Sequence, residues 1–192
     1  MLSLSTFQLA DPQISARGAK SAALTDKNGK VFFSLGSAQA PVTTPFGATC
    51  YGDESLQRKT LELRLTPAQD EEFQDFDNWA LDYVEEHSER LFKKKLTRSQ
   101  IEEHYRSPVT RREGYQPLLR CKLNTEGRHV ARVWDEEGQR TQLPEDLRDR
   151  ELVPKLHLSH LWILGKQFGF TTNVTDLMIM SGSSENVCPF TN

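Results

Sequence analysis

Cysteine is scarce in this chain of 192 residues, and the three present, Cys50, Cys121 and Cys188, stand far apart with no CxxC pair. Such spacing argues against a disulfide framework or a zinc ribbon and fits a reducing, intracellular compartment. No apolar run approaches the roughly 18 to 20 residues that span a bilayer, so no membrane partner is expected. Met1 to Ala10 lacks a basic start and an apolar stretch, so a secretory signal is not expected either. Catalytic signatures are missing too: there is no P-loop, GxGxxG, GxSxG or HExxH. His157 and His160 lie three apart, which in a strand sets them on opposite faces. In a helix they could share an ion, but no nearby Cys or carboxylate completes a site. They read as ordinary structural or surface residues, and His87 as a partly buried core histidine. Cys50 has no charged neighbour in sequence to lower its pKa. Neither a cofactor nor an enzymatic activity is expected.

One absence is local. From Pro67 to Glu89 there is no Lys or Arg, while nine acids stand there: Asp70, Glu71, Glu72, Asp75, Asp77, Asp82, Glu85, Glu86 and Glu89. From Arg90 to Arg132 the balance inverts, with twelve basic residues against four acids, half of the chain's 24 Lys and Arg. The net charge of -3 conceals this separation. A polyanion responds to the local field rather than to the average.

The patterning places these charges on elements. Lys20 to Thr25 and Lys30 to Leu35 flank Asp26-Lys27-Asn28-Gly29, which predicts a hairpin turning at Asn28-Gly29. Pro41 to Tyr51 reads as loop. Lys59 to Leu65 alternates, with Leu61, Leu63 and Leu65 on one face, a half-buried strand. Thr66 caps the helix that follows and Pro67 suits its first turn. Phe73, Phe76, Ala80, Tyr83, Val84, His87 and Leu91 form its apolar stripe. A shorter helix starts at Thr97, with Gln100 placed for a capping box, and stops before Pro108. Leu118 to Leu123 and His129 to Trp134 flank Asn124-Thr125-Glu126-Gly127, a second hairpin signal. Val153 to Leu164 and Thr171 to Met180 read as two more strands, with Phe168-Gly169-Phe170 between them and Trp162 in the core.

The expected fold is mainly β (α+β): an OB-fold-like five-stranded barrel with a helix after the third strand and an inserted β-hairpin. It would occupy residues 1–180 as a single domain, with a helical connector over about 67–106, the hairpin insertion over about 118–150 and a flexible tail over 181–192. A generic α+β sandwich would give a similar string of elements.

An acidic run is ordinarily a solvated helix face, and so is a basic one. In and beside the basic run, aromatics are interleaved with the charges: Phe92, Tyr105, Tyr115 and Trp134, with Phe32 and Phe33 on an earlier strand. Bases of a single strand stack on such rings at roughly 1–3 kcal/mol per base, while Lys and Arg track the phosphates. The phosphate-neutralising candidates are Lys93, Lys94, Lys95, Arg98, Arg111, Arg112, Arg120 and Lys122. Tyr115 and one of Phe32 or Phe33 are the stacking candidates, with Phe32 the one placed in the candidate site.

Several segments resemble a known family. Thr44-Pro45-Phe46-Gly47 follows the first hairpin, and the alternating strand 59–65 leads into an acidic, aromatic helix. Tyr115-Gln116-Pro117-Leu118-Leu119-Arg120-Cys121-Lys122 follows a basic connector, and Leu161-Trp162-Ile163 with Phe168-Gly169 precedes the last strand. This order resembles the single-stranded DNA-binding proteins of large nucleocytoplasmic DNA viruses, which are similar to the phage T7-type single-stranded DNA-binding protein. The resemblance implies an OB fold that binds single-stranded DNA, rather than RNA, with little sequence preference. It implies service in replication, recombination or repair, in the nucleus or at a viral replication site. Replication proteins and a second copy of the chain are the further partners it suggests. The acidic C-terminal tail of the T7 type has no counterpart, since Glu185 is the single acid after Asp176. The competing expectation is a non-enzymatic structural or protein-interaction subunit, a virion-associated one included, whose acidic and basic segments meet partners of opposite charge.

Overall fold

The computed structural model describes residues 3–15, 18–50, 58–127 and 129–181, so the expected tail lies outside the described residues apart from Ser181. In chain order the principal elements are β1 (Lys20–Asp26), β2 (Gly29–Ser34), β3 (Arg58–Arg64), α1 (Pro67–Glu86), α2 (Ser88–Phe92), α3 (Arg98–His104), β4 (Leu118–Asn124), β5 (Arg132–Trp134), β6 (Glu151–Leu164) and β7 (Gln167–Ile179). The molecule is mainly β, with a few helices.

The long hairpin of β6 and β7 is the spine. Burial alternates along β6 because its leucines occupy every second position: Leu152, Leu156 and Leu158 are buried, as are Leu161 and Ile163 after a one-residue offset. Gly165 makes the turn at φ +60°, and β7 returns antiparallel from Gln167. Phe168-Gly169-Phe170, expected between two strands, is therefore part of β7. Three segments pair in succession along the free edge of β6: 20–23, 31–34 and 42–43. Three others lie parallel to the far edge of β7: Tyr105–Arg106, Lys122 of β4, and β5. β4 pairs along its full length with β3, and Ala48–Thr49 lies beyond β3.

Among the described residues no ladder joins the two ends of this sheet. The sheet is open where a closed five-stranded barrel was expected. Two other expectations change. The first hairpin forms, but its ladder is short, pairing Thr25 with Lys30 and Asp26 with Gly29. Lys27 and Asn28 make the turn, Asp26 Oδ1 accepts from the Asn28 N–H at 2.7 Å, and Gly29 takes the positive φ of +103°. The hairpin is thus a side branch between two stretches that both pair with β6. The signal at 124–127 closes a turn, with Ala131 N–H donating to Asn124 O at 2.9 Å. No ladder joins β4 to β5 among the described residues; each lies beside β7 instead. β4 is accordingly a sheet strand, not half of an inserted hairpin. The local turn chemistry was right, but the edge of β7 competed better for both strands.

The helices start where their caps predict. Thr66 and Gln69 make one capping box, and Thr97 and Gln100 make the other. α1 covers the inner face of the sheet. Phe73 meets Phe33, Phe76 and Trp79 meet Phe170, and Phe7 stands edge-on to Trp79. Burying each such ring contributes about 2–3 kcal/mol. The apolar stripe continues to Leu91, but the helix breaks at His87, and Lys93 at φ +60° ends α2. No helix among the described residues is long and apolar enough to cross a membrane.

Candidate nucleic-acid interface

The segregated charges of the sequence meet each other first. Asp70 and Asp77 sit on the inner side of α1 with side chains only 13% and 14% exposed, rather than on a solvated face. Arg111 Nε reaches Asp70 Oδ1 at 2.8 Å, and its Nη1 reaches Asp77 Oδ2 at 3.0 Å. Asp77 also accepts from the Tyr105 hydroxyl at 2.7 Å and from Ser107 at 2.8 Å. Burial and the Asp77 carboxylate push the Tyr105 hydroxyl well above its ordinary range. Arg98 bonds Asp82 and lies 3.5 Å from Glu85 and 2.8 Å from Glu102. The hydrogen bonds it donates to Glu102 and Asp82 hold its guanidinium firmly protonated. Arg90 donates to Leu9 O at 2.9 Å and to the Tyr83 hydroxyl at 3.2 Å. The charge of Arg98 and Arg111 is therefore matched within the chain, and each pins a connector to α1.

The opposite face of the sheet has a different character. Strand pairing aligns one row across six strands: Phe32, His157, Asn173, Lys122, Thr60 and Thr49. Directly paired residues share a face, so this row stands on one side. Neighbouring rows add Lys155 beside Asp176 and Arg132, and Trp162 beside Gly169 and Arg106. Phe32 is 48% exposed and stacks on the His157 ring at 4.8 Å, with Lys155 Nζ 5.9 Å from its centroid. Phe33 turns inward to Phe73, which decides between the two phenylalanines.

The one-residue offset at Ser159 in β6 has a consequence. It sets His157 and His160 on the same outer face, where unbroken alternation would have opposed them. Ser159 Oγ accepts from Asn173 Nδ2 at 2.8 Å, donates to Thr171 O at 3.1 Å and lies 2.8 Å from His160 Nδ1. Burial, then Lys122 and His157, lowers the His160 pKa from 6.5 to about 4. Burial, then Lys30 and His129, lowers that of His157. Both rings are thus kept neutral, first by burial and then by the cations around them. Among the described residues no group of three His, Cys, Asp or Glu is placed to hold a metal ion. Cys121 is buried in the core, which raises its thiol pKa.

Two concavities open on this side and meet at Arg120. One, of about 480 Å³, lies between Arg106, Lys122, Trp162 and Thr171. The other, of about 560 Å³, lies between Phe46, Glu62, Arg112, Tyr115 and Arg120. Tyr115 is 78% exposed on the loop after β-strand residues 109–110, turned there by a Tyr115 N–H bond to Arg112 O at 3.1 Å. The chain thus brings together Phe32, Arg112, Tyr115, Arg120 and Lys122 from the expected site. Lys93 lines a smaller hollow with Lys20 and Arg90, and neither it nor the exposed Lys94 and Lys95 lines the two outer concavities.

Lys30, Arg106, Lys155 and Trp162 belong to the face although sequence reading did not select them. Trp162 is half-buried and lines a concavity, whereas an apolar run had suggested core. Alternation was the available signal, because Leu161 and Ile163 on either side are both buried. Gly169 lies beneath it. A Cβ there would stand 2.4 Å from Arg106 O and 2.9 Å from Trp162 Cζ2, so only glycine fits this close approach.

No protein-family model matches the chain, and no curated protein matches it. Among solved structures it resembles the single-stranded DNA-binding protein from bacteriophage Enc34, with a TM-score of 0.51 and 8% identity over 90% of this chain and 89% of that one. The C-terminally truncated form of that protein gives 0.51 and 9%, covering 90% of this chain and 95% of the other. The same phage protein in complex with single-stranded DNA also gives 0.51 and 9%, over 90% and 94%. At these identities the likeness is one of fold, and it runs through nearly the whole of both chains.

Proposed function

We propose that this protein binds single-stranded DNA along the outer face of its sheet. The observation that carries the reading is the row from Phe32 through His157, Asn173 and Lys122 to Thr60, flanked by Lys155, Arg106, Arg120, Trp162 and Tyr115. A track of cations with rings between them suits a flexible strand whose bases are unstacked, because phosphates and bases can be met in alternation. The rigid α1 layer behind it keeps the track in shape. The fold likeness to a phage protein solved with single-stranded DNA supports the same partner.

On this reading the binding is not catalytic and has little overall sequence preference. The scaffold is an opened relative of the OB barrel, and work in replication, recombination or repair is its natural setting. The competing view, a subunit that docks through segregated charges, has less to draw on. Arg98 and Arg111 already pair with Asp82, Asp70 and Asp77 inside the chain.

Fluorescence anisotropy with labelled oligo-dT at two salt concentrations is the test. Affinity should fall steeply with salt, with a log–log slope near -0.7 for each phosphate neutralised on a single strand. An oligo-rU arm separates DNA from RNA. Failure to bind oligo-dT at low salt would sink the proposal.

A further inference from the structure

Glu62 is out of keeping with a phosphate track. It projects from β3 into the larger concavity, its side chain only 12% exposed, among Arg112, Arg120, Phe46 and Tyr115. Arg120 approaches it loosely: Nε and Nη2 both stand 3.5 Å from Oε1. A carboxylate at the floor of a hollow repels phosphate. It accepts hydrogen bonds and donates none. The same hollow is lined by two exposed rings, Phe46 at 54% and Tyr115 at 78%. A planar, uncharged group with N–H donors on its edge fits this combination, and in a DNA strand that group is a base.

The four bases differ in what they offer a carboxylate. Guanine presents two adjacent donors on its pairing edge, N1–H and N2–H, which match the two oxygens of one carboxylate. Adenine and cytosine each present one amino group beside a ring-nitrogen acceptor. Thymine presents one N–H between two carbonyls. In each of those three a lone pair would face the carboxylate and oppose it. We propose that the hollow floored by Glu62 takes one unstacked guanine of the bound strand, held between Phe46 and Tyr115, with Arg112 toward its phosphate. This rests on the strand-binding reading above and adds to it a base-selective position in a track otherwise indifferent to sequence.

The test is competition anisotropy with oligo-dT strands of equal length carrying a single dG, dA or deoxyinosine. Inosine keeps N1–H and lacks the 2-amino group. The dG strand should bind about five- to tenfold tighter than the dA strand, with inosine between them, as a two-bond base contact implies. Glu62→Gln should abolish the ranking, so that the dG, dI and dA strands bind alike. Equal affinity of dG, dI and dA strands, with oligo-dT still bound, overturns the guanine pocket and leaves strand binding standing. Failure of every strand to bind overturns both. The inosine series needs no variant, so a poorly folding Glu62→Gln does not blunt the test. Tyr115→Ala, at an exposed loop position, should compress the dG preference severalfold.

Discussion

The two sides of the sheet carry cations under opposite conditions. On the α1 side, Arg98 and Arg111 are held by carboxylates of that helix, Arg98 also by Glu102 of its own, and their charge serves to fasten α3 and the segment after it to α1. On the outer side, Lys155, Arg106 and Lys122 stand in rows with Phe32, Trp162 and two neutral histidines. Arginines close in sequence thus have unlike surroundings, and a count of basic residues does not reveal which. What separates them is the neighbourhood that folding supplies: the carboxylates of α1 on one side, rings and half-buried histidines among the cations on the other.

The strongest way to break this contrast is charge reversal on the outer side. Lys122→Glu with Lys155→Glu should weaken oligo-dT binding by about a hundredfold or more, since each reversal removes a phosphate contact and adds a repulsion. The unfolding midpoint should hardly move. An unchanged affinity would place the strand elsewhere. Gly169→Ala tests the floor of the same face. Its Cβ must displace Arg106 O or the Trp162 ring. We expect a loss of about 3 kcal/mol in urea unfolding, at the upper end for overpacking. Wild-type stability in this variant would mean that the two strands approach less closely than described.

Arg111→Ala probes the other side. It leaves Asp70 and Asp77 poorly exposed and without their guanidinium, so a loss of about 2 kcal/mol is expected, less than for a fully buried pair. Oligo-dT affinity should change less than threefold, and a loss comparable to the Lys122/Lys155 variant would erase the distinction between the sides. The smallest effect concerns pH. The His160 pKa is lowered on folding from 6.5 to about 4, so the unfolded chain takes up a proton that the folded one refuses. That contribution to stability is complete above pH 6.5 and is lost as pH falls toward 4. His160→Gln should flatten the thermal midpoint across this window, and an equal slope in both proteins would count against a half-buried, neutral His160.

Much of the scaffold was legible in the chain. Thr66 with Gln69 and Thr97 with Gln100 are local signals, read by neighbours three residues away, and both helices start there. The leucines of Lys59 to Leu65 disclosed a strand with one buried face for the same reason. Trp162 was misread because an apolar run suggests burial on both faces, although period two had already turned it outward. The pair His157 and His160 was misread because a one-residue offset changes the face, and no residue type announces it. The turn at 124–127 was read correctly, but the strands it joins found other partners.

Of the outer face, the sequence alone picked out Tyr115, Arg112, Arg120 and Lys122, and left Phe32 against Phe33 to be separated by the inward turn of Phe33. Those follow from composition and from the aromatic spacing along one segment. Which arginines would be matched by carboxylates, and which lysines from distant strands would join the face, depended on register. Phe32, His157, Asn173 and Lys122 come from four strands and share a row because the β6–β7 hairpin lies between the others. The caps, turns and alternation of this chain are set by neighbours along it, and the chain by itself determined them. The open sheet and its cationic face are set by which strand edges win one another, and only the tertiary structure decided that.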